Sequence, residues 1–178
     1  MPSSSPNKTA LIVGASRGIG AALARELAQR GYRLGLLSRN QEQLQQLANE
    51  LRHNCDAHVE IGALDVCDPA CVAPALQQQF QHFGTVDLVI VNSGVIGVRR
   101  AGDGNIAEDR RIIETNLMGA IAVTDAAIAL FKQQCHGQLA GISSVSASFA
   151  IPGSAAYSAS KAALTNYLEA LRVEVVPF

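Results

Sequence analysis

Short apolar runs alternate with longer amphipathic stretches along the whole chain. The runs are rich in Val, Ile and Leu and are five to eight residues long, which is typical of buried β-strands. Because each run is followed by a stretch with helical spacing, the pattern predicts repeated β-α-β crossovers and an open parallel sheet. The five predicted strands span residues 8–13, 32–37, 57–64, 86–91 and 139–143.

The stretches between the strands predict the helices. In the first stretch, Ile19, Leu23 and Leu27 recur at helical spacing, and we expect them to form the buried face of a helix. That helix is predicted to end at Arg30, with Gly31 as its C-terminal cap. The other predicted helices are one capped by Asn40 with Leu44, Leu47 and Leu51 buried, one that begins at Asp68-Pro69, a long helix over 107–131 and a final helix over 155–175.

Length and composition predict one domain with a substantial core. A chain of 178 residues is long enough to bury such a core, and 48% hydrophobic residues with 15 glycines suit a parallel sheet covered on both faces. We expect a flexible N-terminal tail over residues 1–7. Residues 8–178 are expected to form an α/β domain, a doubly wound parallel sheet in three layers (α/β/α).

Charge and apolar distribution argue against several classes of partner. A net charge of −1 leaves no basic field for nucleic acid or an anionic membrane. No run of 18 apolar residues occurs, and the first eight residues lack the apolar core of a signal peptide, so we expect a cytoplasmic protein. We also expect no metal, since no ligand spacing connects the cysteines at 55, 67, 71 and 135 or the surface histidines at 53, 58, 82 and 136.

A glycine-rich turn joins the first strand to the first helix, with the sequence Gly14-Ala15-Ser16-Arg17-Gly18-Ile19-Gly20. Glycines at such a turn let the backbone pass close to a pyrophosphate, and the helix N-terminus offers free N–H groups and the positive end of its dipole. The order of strand, glycine turn and helix therefore predicts a dinucleotide-binding site. The spacing G-x-x-x-G-x-G differs from the general G-x-G-x-x-G fingerprint.

A second candidate site lies near the end of the chain. Tyr157 and Lys161 are four residues apart in a predicted helix, so the ammonium group should lie beside the phenol. A phenol is a poor base at neutral pH, and a neighbouring cation favours its phenolate form, which makes a usable proton donor and acceptor. Ser144 precedes the tyrosine by 13 residues and is expected to close the fifth strand, with its hydroxyl toward a substrate oxygen. The alternative is a helix with an incidental Tyr and Lys.

Six motifs follow one another in a characteristic order along nearly the whole chain. They are Gly14-x-x-x-Gly18-Ile-Gly20, Asp65-Val66, Asn92-Ser93-Gly94, Asn116, Ser144 and Tyr157-x-x-x-Lys161. In this order and at these intervals they resemble the short-chain dehydrogenase/reductase family, in its ordinary single-domain branch. One motif departs from the family pattern, because Asn92-Ser93-Gly94 stands where Asn-Asn-Ala-Gly is usual.

The resemblance implies a Rossmann-like fold and hydride transfer between a nicotinamide and a carbonyl or alcohol carbon. In that mechanism Tyr157 exchanges a proton with the substrate oxygen, and Lys161 supports the tyrosine and holds the nicotinamide ribose. Ser144 orients the substrate oxygen, and Asn116 shapes the long helix and holds a water in a proton path to Lys161. The resemblance also implies a homo-oligomer in which helices 107–131 and 155–175 form the interface, whereas the alternative is that both only cover the sheet.

The resemblance assigns cofactor contacts to the ends of the predicted strands. Asp65 is expected to meet the adenine amino group with the Val66 backbone beside it, and Asn92 and Gly94 to border the adenosine ribose. Each residue also has a structural explanation, since Asp65 could cap a loop and Asn92 could stand in a turn.

Charge at the end of the second strand predicts which nicotinamide cofactor is bound. An NAD-selecting carboxylate is expected about 20 residues after the glycine turn, but this strand ends Leu37-Ser38-Arg39. Arg39 and Arg17 together could clamp a 2′-phosphate, which favours NADP(H) over NAD(H). The alternative is that Arg39 faces solvent and stacks on the adenine.

Compared with the family, the chain ends early. Family members continue for several tens of residues, so the resemblance predicts that the last two family strands and a substrate lid are missing and that the chain is a truncated piece. The remaining rim, formed by Val95, Ile96, Val145, Phe149, Ala150 and Ile151, is apolar and favours a hydrophobic carbonyl or alcohol substrate. Two alternatives stay open: a dinucleotide-binding fragment without turnover, and a structural or interaction protein.

Overall fold

A single parallel sheet organises the part of the chain that the structure describes. The structure is a computed structural model that describes residues 8–175, so the tail predicted over residues 1–7 lies outside it. Five strands pair in the order β3-β2-β1-β4-β5, all parallel, which confirms the predicted sheet. They are β1 (Thr9–Val13), β2 (Arg33–Ser38), β3 (Val59–Ala63), β4 (Leu88–Val91) and β5 (Gln138–Gly141).

Helices connect the strands and begin where the sequence predicts caps. The Asn40 side chain accepts a hydrogen bond from the Gln43 N–H, and the Asp68 side chain accepts one from the Ala70 N–H, so two helix starts are fixed by side-chain oxygens. The helices are α1 (Gly18–Gln29), α2 (Gln41–Cys55), α3 (Pro69–Phe83), α4 (Ile106–Ile113), α5 (Gly119–Gln134) and α6 (Ala155–Glu174).

Two apolar cores cover the two faces of the sheet. Because successive strand residues point to opposite faces, Leu11 and Val13 of β1 enter one core while Ala10 and Ile12 enter the other. Helices α3, α5 and α6 contribute side chains to the first core, and α1 and α2 contribute to the second. The result is the predicted three-layer α/β/α arrangement, in which the sheet is buried on both faces.

The buried face of α1 differs from the predicted one. Ile19 is 59% exposed, and the residues of α1 that are buried are small: Gly20, Ala21, Ala24 and Ala28. Alanine lets a helix approach the sheet closely, whereas Ile19 stands in the first turn and lines the cleft described below. The predicted burial of Ile19 with Leu23 and Leu27 was therefore wrong, because the helix start faces a cavity and not the sheet, and Ile19 lies on the side of the glycine turn to which the motif also assigned it.

The long helix predicted over 107–131 spans 106–134 and contains a wider turn. The segment Glu114–Met118 is a π-helical turn, in which the Gly119 N–H reaches the Glu114 carbonyl five residues back. Such turns are rare and occur frequently at functional sites. Asn116 lies at the centre of this turn and is fully buried.

By length and composition, the helical segment Ile106–Gln134 is also apolar enough to cross a membrane, with a mean hydropathy of 1.4. Half of that apolar window is buried inside the protein, and α5 packs on α3 and on strands β4 and β5. This arrangement is typical of the core helix of a folded domain. The absence of membrane contact and the cytoplasmic location stay predictions.

Strand β5 is shorter than predicted and ends before the serine pair. It stops at Gly141, so Ser144 does not close the strand but follows it by three residues. There Ser144 begins a single 3₁₀ turn over Val145–Ala147. The outer side of β5 pairs with no other strand among residues 8–175.

Candidate active site

A cleft opens at the carboxyl ends of the parallel strands, where ligands bind in open α/β sheets. Its volume is about 610 Å³, which lies within the range of pockets that hold small-molecule ligands and cofactors. Most of the predicted site residues line it together: Gly14, Ser16, Arg17, Gly18, Ile19, Ser38, Arg39, Asp65, Val66, Asn92, Gly94, Tyr157 and Lys161. Three predicted site residues, Gly20, Asn116 and Ser144, are not among the residues that line it.

The glycine turn is held by close backbone approach. Gly14 has φ +90°, and a Cβ there would lie 2.7 Å from the Ser93 backbone nitrogen, so only glycine fits. Asn92 donates from Nδ2 to the Gly14 carbonyl oxygen over 2.8 Å. A Cβ on Gly20 would collide with that same carbonyl oxygen. Asn92 therefore fixes the glycine turn against the end of β4.

Opposite charges meet at the end of β2. The Arg39 guanidinium lies 3.7 Å from the Asp65 carboxylate, and both side chains are largely exposed. Asp65 also accepts a hydrogen bond of 3.0 Å from the Cys67 N–H, which holds the loop after β3. Ser38 is buried, and its hydroxyl oxygen accepts a bond of 3.1 Å from the Asn40 N–H. No carboxylate occupies the last position of β2, as the sequence predicts.

Asn116 joins the π turn to the segment that follows β4. Its Oδ1 accepts from the Val95 N–H over 2.7 Å, and its Nδ2 donates to the Val95 carbonyl over 2.8 Å. The same Nδ2 donates to the Ser160 hydroxyl over 3.1 Å, and Ser160 in turn donates to the Tyr157 carbonyl. One buried amide therefore positions the cleft wall and the helix that carries Tyr157.

Lys161 is a buried cation at the floor of the cleft. Only 4% of the residue is exposed, and burial lowers the pKa of its ammonium group because desolvation disfavours the charged form. Its Nζ donates to the Ile142 carbonyl over 2.7 Å. A Cβ placed on Gly94 would lie 3.6 Å from Nζ, so the ammonium faces the backbone that lines the cleft. Tyr157 lines the cleft one helical turn before it.

Ser144 is arranged as a hydrogen-bond donor. Its hydroxyl oxygen accepts from the Ser146 N–H over 3.2 Å and from the Ser146 hydroxyl over 2.9 Å. Because a hydroxyl has two acceptor positions and one donor, the two bonds from Ser146 leave the Ser144 hydrogen for another partner. The neighbouring Ser143 turns to α6 instead, where its hydroxyl lies 2.6 Å from that of Thr165.

Of the six residues predicted to form an apolar rim, Val95 and Ile96 line the cleft, whereas Val145, Phe149, Ala150 and Ile151 are not among its lining residues. Val145 is 81% exposed and Phe149 is 77% exposed, and Ile96 and Ile151 are also exposed. The segment opposite, residues 97–104, is held by Arg99, whose guanidinium bonds to the carboxylates of Asp103 and Asp109. These ion pairs hold the segment 97–104, while the apolar side chains of Val145, Phe149 and Ile151 face solvent.

The sequence profile of short chain dehydrogenase matches residues 8–178. The chain belongs to the short-chain dehydrogenase family.

Curated relatives in this family include oxidoreductases from distant organisms. An uncharacterized oxidoreductase of Mycobacterium tuberculosis is 38% identical over 166 residues, which are 92% of this chain and 66% of that protein. The dehydrogenase/reductase SDR family member 7B of Bos taurus is 33% identical over 174 residues, 95% of this chain and 54% of that protein. The chain thus spans somewhat less than two thirds of one relative and about half of the other.

Solved short-chain dehydrogenases share the fold. An alcohol dehydrogenase from the archaeon Thermococcus sibiricus, in complex with 5-hydroxy-NADP, is 32% identical with a TM-score of 0.89, covering 94% of this chain and 71% of that one. An NAD⁺-bound xylitol dehydrogenase is 26% identical with a TM-score of 0.92, covering 96% of this chain and 66% of that one. These likenesses agree with the Rossmann-like sheet.

The sequence analysis did not predict several residues that line the cleft or lie buried behind it. Ser160 is the clearest case, since its place three residues after Tyr157 in a helix is the one signal that points to it. Ser93 and Thr115 touch the cleft only because the glycine turn and the π turn bring them there. The cleft residues absent from the predicted set also include Asn40, Gln43, Leu64, Ile142 and Ser143.

Proposed function

We propose that this chain carries an NADP(H)-dependent oxidoreductase site that transfers a hydride between the nicotinamide and a carbonyl or secondary alcohol carbon. One observation supports the proposal above the others: the glycine turn and the Tyr157–Lys161 pair line one continuous cleft, although 136 residues lie between Gly20 and Tyr157. Membership of the short-chain dehydrogenase family and the solved dehydrogenases of the same fold support the same reaction class.

The cleft fits a dinucleotide at both ends. Helix α1 points its N-terminus into the cleft and has no acidic residue in its first turn, so the positive end of its dipole is available to a pyrophosphate. At the other end, a Cβ on Gly94 would project between the Asn116 Oδ1, 3.4 Å away, and the Lys161 Nζ. Glycine at this position leaves that space for a ribose ring.

The residues near Lys161 are arranged to move one proton. When bound, the nicotinamide supplies or accepts the hydride. During reduction the carbonyl carbon gains that hydride, the π electron pair moves to oxygen, and the Tyr157 hydroxyl gives its proton to that oxygen. Lys161 has three N–H donors, of which Ile142 uses one, so two remain for the Tyr157 side and a ribose hydroxyl. The free Ser144 hydrogen stabilises negative charge on the substrate oxygen.

Preference for NADP(H) over NAD(H) rests on the charges at the end of β2. Arg17 and Arg39 both line the cleft, and two guanidinium groups suit a ribose 2′-phosphate. Asp65 pairs with Arg39 at 3.7 Å across an exposed surface, a weak contact that a doubly charged phosphate can displace. The competing explanation is that Arg39 only stacks on the adenine.

The partners proposed are a hydrophobic small molecule and a second copy of the chain. Exposed Val145, Phe149 and Ile151 suit an apolar carbonyl or alcohol. Helices 106–134 and 155–174 leave Met118 and Val173 exposed, which supports association through these helices. No contact with nucleic acid or a membrane is part of this proposal.

The decisive experiment follows nicotinamide fluorescence while the 178-residue chain is titrated with NADPH and with NADH. We expect tight NADPH binding, and we expect Arg39→Asp to weaken NADPH at least tenfold while improving NADH. Protein that binds NADPH is then mixed with apolar ketones and aldehydes, and the oxidation of NADPH is followed. Tyr157→Phe, which keeps the aromatic ring and removes the hydroxyl, is the matched control. Binding without oxidation of NADPH by any carbonyl would favour a dinucleotide-binding chain without turnover, which the solvent-exposed rim makes the second candidate. Equal affinity for both cofactors in wild type and Arg39→Asp would refute the proposed preference.

A further inference from the structure

Two histidines and one glutamate meet at the edge of the sheet farthest from β5. His58 precedes β3 directly, Glu60 is the second residue of β3, and His82 lies in the last turn of α3. His58 and Glu60 are two residues apart on an extended chain, so their side chains leave the same face. The end of α3 packs across that face and brings His82 to them. This place is at the amino ends of the strands, whereas the cleft lies at their carboxyl ends.

The distances among the three groups match those around a tetrahedral zinc ion. The two Nε2 atoms lie 3.4 Å apart, and the Glu60 Oε1 lies 3.8 Å from the His58 Nε2 and 3.5 Å from the His82 Nε2. Zinc bound by imidazole at about 2.0–2.1 Å with tetrahedral angles places its ligand nitrogens about 3.4 Å apart. All three ligand atoms therefore already surround one point, with little rearrangement needed.

A buried aromatic ring holds both imidazoles in place. Phe83 is 5% exposed, and both imidazoles make T-shaped contacts with its ring. The centroid distance is 5.1 Å for His82 and 5.6 Å for His58. Edge-to-face contacts of this kind fix ring orientation. The three candidate ligands stay open to solvent, with side-chain exposures of 54% for His58, 39% for Glu60 and 45% for His82. Phe83 thus orients the two imidazole rings on the protein side, and solvent reaches all three candidate ligands.

We propose that His58, Glu60 and His82 bind one Zn²⁺ ion per chain, with water as the fourth ligand. Two imidazoles and one carboxylate are ligands that zinc prefers, and three protein ligands leave a fourth position for solvent. The ion connects the edge strand β3 to the C-terminal turn of α3. A metal that binds the folded chain and not the unfolded one raises the stability of the folded state. This proposal does not depend on the proposed hydride transfer and differs from the expectation of no metal.

The test titrates ZnCl₂ into the tag-free 178-residue chain after chelator treatment, at pH 7.5 in a calorimeter. We expect one equivalent to bind and the melting temperature to rise with zinc concentration. His82→Gln and Glu60→Gln should each weaken zinc binding at least tenfold and remove the melting shift. Affinity for NADPH should stay unchanged in both variants, since the site lies at the opposite ends of the strands.

Two controls separate this site from other zinc-binding groups. His136→Gln replaces an exposed histidine elsewhere, and the paired change Cys67→Ser with Cys71→Ser removes the exposed thiols nearest the cleft. Both should bind zinc as the wild type does. The Co²⁺ form should show a visible spectrum of tetrahedral cobalt without thiolate charge-transfer bands. Unchanged zinc binding in His82→Gln, or its loss in the cysteine variant, would overturn the assignment.

Discussion

The two sides of the cleft are built in different ways. The side on which we propose that the nucleotide binds (the nucleotide side) is formed by the glycine turn, Ser38, Asp65 and Asn92, and contacts to the backbone fix it, as in the 2.8 Å bond from the Asn92 side chain to the Gly14 carbonyl. The side on which we propose that the substrate binds (the substrate side) is formed by residues 95–104 and 145–151, and its loops and 3₁₀ turn expose apolar side chains such as Val145 and Phe149.

We interpret this difference as a separation between nucleotide binding, which is constant, and substrate recognition, which varies. A dinucleotide presents the same pyrophosphate and ribose in every catalytic cycle, so backbone geometry can be fixed around it. Substrate recognition depends on loop side chains, which can change without disturbing the sheet beneath them. We therefore expect substitutions on the nucleotide side to affect folding and cofactor binding together, and those on the substrate side to affect substrate alone.

The largest effect is expected from Gly14→Ala. The new Cβ combines a backbone at φ +90° with a contact of 2.7 Å to the Ser93 nitrogen, and we expect it to lower the free energy of unfolding by about 3 kcal/mol. NADPH binding should be lost, as measured by urea unfolding and by fluorescence titration. Gly31→Ala is the matched control, because Gly31 has φ +80° with nothing within 4 Å of its Cβ position. It should cost about 1–2 kcal/mol and leave NADPH affinity intact; equal losses in both variants would show that close approach at Gly14 is unimportant.

A smaller effect is expected where the two sides are joined. Asn116→Ala leaves the Val95 N–H and carbonyl without their partner, so we expect the free energy of unfolding to fall by about 2–3 kcal/mol. Ser160→Ala removes one hydrogen bond from Asn116 and one to the Tyr157 carbonyl, and should cost about 1–2 kcal/mol. Denaturant unfolding measures both. A larger loss for Ser160→Ala than for Asn116→Ala would contradict the assignment of Asn116 as the main link.

The smallest effect on stability is expected on the substrate side. Phe149→Ser changes a side chain that is 77% exposed, so the free energy of unfolding should stay within about 0.5 kcal/mol of wild type. KM for an apolar ketone should rise about tenfold, because burying the ring against substrate is worth about 1.4 kcal/mol or more. Gln78→Ser, also exposed but on α3 and outside both the cleft and the helices proposed for association, serves as the control. A decrease in NADPH affinity for Phe149→Ser would show that the two sides are not independent.

The features that the sequence predicts correctly are those that a local pattern of residues encodes. The strands and the caps at Asn40 and Asp68 follow from periodicity and cap chemistry, whereas the grouping of the glycine turn with Lys161 follows from the resemblance to the family. The same reasoning failed for Ile19, because helical spacing identifies a face without saying whether that face meets the sheet or a cavity. The sequence pattern also predicted that Ser144 closes β5, and this was wrong, because the strand ends at Gly141, where its pairing with β4 stops.

Features that depend on long-range contacts lie beyond the sequence pattern. The π turn around Asn116 forms where the amide reaches Val95, 21 residues away, and nothing in residues 114–118 alone predicts the extra backbone residue. His58 and His82 are separated by 24 residues, and only the packing of α3 on β3 places their rings together. The roles proposed for Ser144 and for Arg39 stay predictions.

The central position of β1 has a consequence for synthesis on the ribosome. Strand β1 pairs with β2 on one side and with β4 on the other, but β4 begins 75 residues after β1 ends. At about 5–20 residues per second, translation leaves one edge of this buried, largely apolar strand open for about 4–15 s. We expect the nascent chain to require a chaperone during this interval, since an open apolar strand is prone to pair with other chains.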